Sequence, residues 1–295
     1  MTKSSPRAAF LALTIAGVFW GLGFPLGKLA LREIAPPHMV LLRFAVAALV
    51  ALPFAIRTPA MRAMFRSGPV LAAGILYGIA FLVQFEGLAR VSVTLAALLV
   101  GAMPALIAIS ARIMGERVTR LSWAGVAAST LGAGLIAGKP GGAGSVLGVI
   151  LSLASLLIFL AWLIVLRRAP KGPSSLTIPA VTVIVAGLTV LPIAVAMHGL
   201  PPLALSAGAW AGIVGQGILS TFLATAAWAY GASRVDAASA GVFINIEPLM
   251  GAILGVALFG DRLTAALAIG GLLILIGSLA VVRGEKGEPT PPSPA

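Results

Sequence analysis

Cysteine is absent from the 295-residue chain, and histidine (two) and acidic residues (eight) are scarce. Without thiols there is no disulfide framework, no thiolate nucleophile and no cysteine-ligated metal. A catalytic zinc takes about three protein ligands. His38 and His198, both read as loop residues, fall short of that, so no metal and no cofactor are expected. An enzyme working on lipids would need a nucleophile, base or metal cluster at one membrane face. The sequence offers none, and the chain is read as not an enzyme.

Charge is the next shortage. Charged residues make up 9% of the chain against 60% hydrophobic, where a soluble domain carries about 25% charged. Such a chain cannot cover a water-soluble core, and its mean hydropathy of +1.09 points to lipid as the solvent. The net charge of +12 would suggest nucleic acid in a soluble protein. Here the cations sit in short clusters between apolar runs, with no basic helix face, so no nucleic-acid partner is expected. Two phosphate-site lookalikes also fail. Gly138-Lys139-Pro140-Gly-Gly-Ala-Gly-Ser145 has neither the spacing nor the Ser/Thr after Lys of a P-loop, and Gly21-Leu22-Gly23 lies inside an apolar run rather than at a strand-to-helix turn.

What is present is a series of apolar segments. A span takes about 20 mostly apolar residues, which predicts helices at about 9–31, 38–57, 69–89, 93–114, 121–138, 145–167, 176–198, 209–231, 236–259 and 263–282. The first run is too long for a cleaved signal peptide, whose apolar region is about 7–15 residues. Turns as short as Arg90-Val91-Ser92 and Arg234-Val235 leave no room for a soluble domain. Lys3, Arg7, Arg57, Arg62, Arg66, Arg112, Arg117, Arg120, Arg167, Arg168, Lys171, Arg234, Arg283 and Lys286 fall on one side, and Lys28, Arg32, Arg43, Arg90, Lys139 and Arg262 on the other. That bias predicts both termini on the cytoplasmic face, in a bacterial inner membrane. The polar, proline-rich stretch 283–295 is predicted to be a disordered cytoplasmic tail.

The chain also repeats itself. Gly87, Arg90, Val91 and Pro104 match Gly231, Arg234, Val235 and Pro248 at one offset. Gly115-Glu116-Arg117 then matches Gly260-Asp261-Arg262, and Gly125 and Gly132 match Gly270 and Gly277. Trp20 pairs loosely with Trp162, and Leu52-Pro53 with Leu191-Pro192. Residues 8–138 and 145–282 thus form two five-helix units. Five is odd, so the second is inverted, the arrangement many secondary transporters use for alternating access. The predicted fold is all-α, an integral membrane bundle of ten helices in two inverted repeats around a central cavity. A small-molecule solute and the bilayer are the expected partners.

Phe19-Trp20-Gly21, Met103-Pro104 with Gly115-Glu116-Arg117, Glu247-Pro248 with Gly260-Asp261-Arg262, and the spaced glycines of each half's last helix carry a family resemblance. From about Ala8 to Val282 the chain resembles bacterial members of the drug/metabolite transporter superfamily with two EamA-type repeats; Asp261 stands where the family commonly has Glu. The resemblance implies helices 1–4 and 6–9 around a cavity, helices 5 and 10 at the periphery, and export of amino acids or other metabolites. The arrangement is similar to that of the aromatic amino acid exporters.

Polar groups at membrane depth mark solute paths by default. Glu247, beside helix-breaking Pro248, either binds a proton or a substrate amine or bonds a neighbouring helix; its repeat mate is apolar Met103. Asn245 lies about 200° round a helix from Glu247, so the two are not expected to face the cavity together. Tyr77, Phe81 and Gln84 share one helix face and suit a flat or apolar solute with a polar head, or ordinary packing. Trp20, Phe24 and Lys28 form a second stripe, with Lys28 either snorkelling or meeting a carboxylate near the exit. Trp162, Gln216 and Trp228 complete the set; Trp228 alternatively joins the interfacial aromatic belt. The Glu116/Arg117 and Asp261/Arg262 pairs are read as caps or loop ion pairs. Gly17/Gly21, Gly23/Gly27, Gly74/Gly78 and Gly251/Gly255 pack helices within a monomer or make a weak homodimer. Sugar-phosphate or nucleotide-sugar exchange is the alternative to amino acid export, but dianions call for several buried cations.

Overall fold

The computed structural model describes residues 6–138, 144–235 and 237–285. Lys3, Lys139, the P-loop lookalike's 139–143, Asp236 and the tail from 286 lie outside the described residues. The chain forms α1 (Pro6–Ala30), α2 (Pro36–Ile56), α3 (Pro59–Ala63), a 3-10 turn (Met64–Arg66), α4 (Gly68–Arg90), α5 (Val93–Val100), α6 (Met103–Ile113), α7 (Arg120–Gly138) and α8 (Val146–Leu166). There follow α9 (Thr177–His198), α10 (Ala207–Gly215), a π-helical segment (Gln216–Leu223), α11 (Ala224–Ala232), α12 (Ala237–Ile244), α13 (Ile246–Phe259) and α14 (Ala265–Glu285). Among the described residues there is no named strand, and nine helical stretches are long and apolar enough to cross a membrane. The segment expected at 121–138 is α7, a 19-residue helix.

Helix starts follow local chemistry. Ser92, Ser145 and Ser206 each accept, through the side-chain oxygen, the amide three residues on, at 3.1 Å. This satisfies one of the free N–H groups at a helix start. Gly260 ends α13 at φ 66°, a left-handed cap that glycine adopts without strain.

Three predicted continuous helices are not continuous. The span at 93–114 breaks at Gly101-Ala102, before Pro104, and the span at 236–259 breaks at Asn245, before Pro248. Proline removes a donor and its ring clashes with the carbonyl four residues back, here those of Val100 and Ile244, the last residues of α5 and α12. The matched prolines thus produce matched breaks. The span at 209–231 contains a π segment, in which Thr221 Oγ1 donates to the Gln216 carbonyl five residues back at 2.8 Å. Around it Gly217 lies against Val46 and the Arg43 carbonyl, an approach that a side chain at 217 would block. The last helix runs to Glu285, so the tail does not begin at 283.

The packing partners close a ring: α1 on α13, α13 on α5, α5 and α6 on α8, α8 on α4, α4 on α9, α9 on α2, α2 on the π segment, and α10–α11 back on α1. Outside it α7 and α14 lie together, Gly125 against Gly277 and Gly132 against Gly270. These are the four glycines matched in sequence, 125 with 270 and 132 with 277, and they meet crosswise, backbone to backbone. The other small-residue pairs also pack inside the monomer: Gly17 and Gly21 against α12–α13, Gly74 and Gly78 against α9.

Candidate functional site

The site starts from one charge that sequence reasoning misplaced. The charge tally sets Arg43 with the cations of the outer side, although it falls within the span expected at 38–57. It is the eighth residue of α2, 2% exposed, and so contributes nothing to the loop-charge bias. Its Nε donates to Thr221 Oγ1 at 2.8 Å, in the π segment. Its guanidinium carbon sits 3.7 Å from the centroid of the Phe81 ring, with Phe85 and Phe44 at 5.4 and 5.6 Å. A desolvated cation over an aromatic face is stabilised by the ring quadrupole. The π segment, which puts Thr221 opposite Arg43, is the kind of helix irregularity that recurs at functional sites.

An aromatic box surrounds this cation. Tyr77 lies 4.8 Å from Phe81 and 5.0 Å from Trp162, centroid to centroid, and Phe159 lies 5.0 Å from Phe81. Phe44 closes one side at 5.7 Å from Phe81. The Tyr77 hydroxyl lies near the Thr225 side chain, whose own hydroxyl donates to the Thr221 carbonyl at 2.6 Å. Glu247, in the first turn of α13 and partly exposed, interacts through space with both Arg43 and Tyr77. The structure therefore sets Phe81 against Arg43, Tyr77 against Phe81 and Trp162 against Tyr77, with Glu247 within electrostatic reach of Arg43 and Asn245 at the helix break two residues before Glu247. The angle of about 200° between Asn245 and Glu247 assumes one continuous helix, and α12 ends at Ile244. Gln84 is buried one turn beyond Phe81 on α4, and Met103 is half-buried at the start of α6.

The remaining candidates have other work. Trp20 meets Trp228 at 5.3 Å rather than its repeat mate Trp162, which removes Trp228 from a simple belt role. Phe24 is core, packed against Gly251. Gln216 donates its amide to the Gly23 carbonyl and ties the π segment to α1. Glu116 pairs with Arg167 at 3.6 Å, not with Arg117; both side chains are exposed. His38 and His198 are helix-end residues, not loop residues. Their rings are 5.7 Å apart, and His38 Nε2 lies 3.0 Å from the Gly199 carbonyl.

Lys28 does not snorkel. Its Nζ donates to the carbonyls of Leu88 and Val91, each at 2.7 Å, with Asp261 within electrostatic reach. A cation there also answers the negative C-terminal end of α4. Asp261 accepts the Thr94 amide at 2.7 Å and so caps α5 from the other half. Nearby, Ser145 N donates to the Arg90 carbonyl at 3.0 Å, and Glu33 accepts both the amide and the hydroxyl of Ser206. Those two bonds hold the Glu33 carboxyl below the ordinary carboxylate range. Helices α1 and α4 are not ring neighbours, yet they meet here, at Lys28 and where Gly27 faces Phe85. Lys28 thus pinches α1 to the end of α4 across the ring. Elsewhere, a groove of about 440 Å³ opens between α6, α7 and α8, and none of the predicted site residues lines it.

Residues 7–138 and 146–283 each match the model of the EamA-like transporter family. The chain belongs to the EamA-like transporter family. An uncharacterized transporter of Archaeoglobus fulgidus is 26% identical over 92% of this chain and 97% of its own length. The uncharacterized transporter YyaM of Bacillus subtilis is 26% identical over 94% and 95%. A solved crystal structure superposes with a TM-score of 0.66 over 97% of this chain and 100% of that one, at 21% identity, a likeness of fold alone. This EamA-like chain is thus a multi-pass membrane transporter, and the family accounts for its two matched units.

Sequence reasoning missed Arg43, Phe44, Phe85, Phe159, Thr221 and Thr225 in this transporter's interior. One signal was available for Arg43: it is the sole Lys, Arg, Asp or Glu of the 21-residue α2, and a lone ionisable residue in a span is a functional-site hypothesis by default.

Proposed function

We propose that this EamA-like protein is a secondary transporter that exports amino acids, with preference for apolar or aromatic side chains, across a bacterial inner membrane. The carrying observation is the buried Arg43, held among Phe81, Phe85 and Phe44 with Tyr77 against Phe81, and within electrostatic reach of Glu247. Arg43 and the rings belong to the first unit and its α8 neighbour, and Glu247 to the second, so the solute site lies where the two units meet. In this reading ten spans cross the bilayer as two inverted five-helix repeats, both termini are cytoplasmic, and rocking of one half against the other alternates access. Burial of one cation opposite one carboxylate favours a solute with no large net charge. Sugar phosphates, as dianions, would meet Glu247 with a like charge.

The test is counterflow into liposomes loaded with unlabelled amino acids, using purified full-length protein and a labelled panel. Saturable uptake that trans-substrate accelerates is expected, strongest for phenylalanine, tryptophan, leucine or methionine. Absence of counterflow for every amino acid would refute the substrate class.

A further inference from the structure

We infer that the Arg43 box holds its solute as a zwitterion in one fixed orientation, carboxylate on Arg43 and Trp162, ammonium on Glu247 and Asn245. The inference rests on the transport reading above and adds the chemistry that selects the solute.

The unpartnered polar atoms in the interior divide by type. Among the described residues Arg43 makes a single hydrogen bond, through Nε. Its Nη groups, four N–H donors, remain open although the residue is 2% exposed. Trp162 Nε1, a donor only, is buried and unpartnered, on a ring 5.0 Å from Tyr77. The acceptors belong to α13 and the break that precedes it, within electrostatic reach of Arg43 through Glu247. Asn245 Oδ1 is buried without a partner, its amide nitrogen being turned to the Val242 carbonyl at 3.4 Å. Two residues on, Glu247 presents a carboxylate that no described residue bonds.

Leaving such groups bare in a dry site is costly, and two opposed poles of unmet donors and acceptors describe the complement of their ligand. Arg43 and Glu247 sense each other electrostatically but do not form a direct ion pair; the close pairs among the described residues are Arg90–Glu86 and Arg167–Glu116. A bridging solute fits between them. A guanidinium fork matches a carboxylate in geometry as well as charge, and Glu247 with Asn245 Oδ1 accepts from an ammonium. Tyr77, Phe81 and Phe159 then bound the side chain. An amine lacking the carboxylate leaves Arg43 and Trp162 bare, and an acid lacking the ammonium sets its charge against Glu247 uncompensated.

The test measures affinity in purified full-length protein for two matched series: L-phenylalanine, phenethylamine and 3-phenylpropionate; and L-leucine, isoamylamine and 4-methylpentanoate. In wild type the zwitterion is expected to bind at least about tenfold more tightly than either analogue in at least one series. Trp162→Phe keeps an aromatic ring and removes the donor. It is expected to weaken the amino acid and the acid about three- to tenfold while leaving the amine unchanged. Arg43→Gln is expected to bring amino acid and amine to parity, and Glu247→Gln to bring amino acid and acid to parity. The wild-type and Trp162→Phe comparisons stand even where Arg43→Gln does not fold. An amine or acid that binds wild type as well as the zwitterion in both series overturns the orientation, as does Trp162→Phe weakening all three ligands alike. If the amino acid is transported in those cases, the transport reading survives. Neither binding nor flux of either amino acid overturns both.

Discussion

Replacing Lys28 by methionine keeps the length of the side chain and removes the two hydrogen bonds that pinch α1 to α4. Both are charge-assisted and 2.7 Å long. Bonds to charged groups contribute about 1.5–3 kcal/mol each when well buried. Lys28 is only half-buried, so about 2 kcal/mol for the pair is a reasonable discount. That corresponds to a factor of about 30 in the ratio of closed to open states at this end. The natural absence of cysteine supplies the assay, since one introduced thiol is the only one in the chain. Asn245, 6% exposed at the break between α12 and α13, is replaced by cysteine, and a membrane-impermeant maleimide is added from the Lys28 face of proteoliposomes. Slow labelling is expected with Lys28 in place and labelling about tenfold or more faster in Lys28→Met. Lys28→Arg retains donors and is expected to stay slow. Equal rates in all three proteins would refute the pinch as a gate.

At the α7–α14 crossing, a Cβ on Gly277 would lie 2.8 Å from Ser129 N and 2.5 Å from the Gly125 carbonyl, so Gly277→Ala is expected to cost about 1–3 kcal/mol. Gly134 on the same helix pair has no neighbour within 4 Å, and Gly134→Ala is expected to be neutral or to stabilise by up to about 1 kcal/mol; thermal unfolding in detergent compares the two. Thr221→Val removes the acceptor for Arg43 Nε while keeping side-chain volume, and is expected to lower counterflow at least about tenfold with the protein still monodisperse. The carboxyl of Glu33 is held below its ordinary value by the Ser206 amide and hydroxyl. Its folded pKa being the lower one, its contribution is full at neutral pH and is lost as pH falls through that depressed value. Amide exchange at Ser206 and Ala209 is expected to accelerate below about pH 4, and Glu33→Gln to abolish that dependence.

Most of the fold was legible because lipid imposes simple rules. A span of apolar residues closes its own backbone hydrogen bonds as a helix, so nine spans emerge within a few residues of their expected bounds. The breaks at Gly101-Ala102 and Asn245 were foreshadowed by Pro104 and Pro248, but periodicity alone drew continuous helices through them. The π segment was not legible. It depends on Gly217 pressed against α2 and on Thr221 held by Arg43, contacts made between segments far apart in sequence. At the site, Tyr77 and Phe81 were found by spacing on one helix. Phe44, Phe159 and Thr225 come from three other elements, and no local pattern distinguishes them from packing residues.

Arg43 escaped for a more specific reason. It lies in one unit alone, and a repeat hides what it does not duplicate. Aligning Leu52-Pro53 with Leu191-Pro192 sets Arg43 opposite Thr182, just as Met103 stands opposite Glu247. The cation belongs to one unit alone and the carboxylate to the other alone. Two identical halves would place two cations or two carboxylates in one dry interior, where like charges repel and desolvation is unrelieved. In the proposed site, divergence of the halves leaves one positive and one negative pole. In an inverted-repeat carrier, the positions where the match fails inside a span are therefore better guides to solute chemistry than the positions where it holds. Those that hold, such as Gly125 with Gly270, serve the packing.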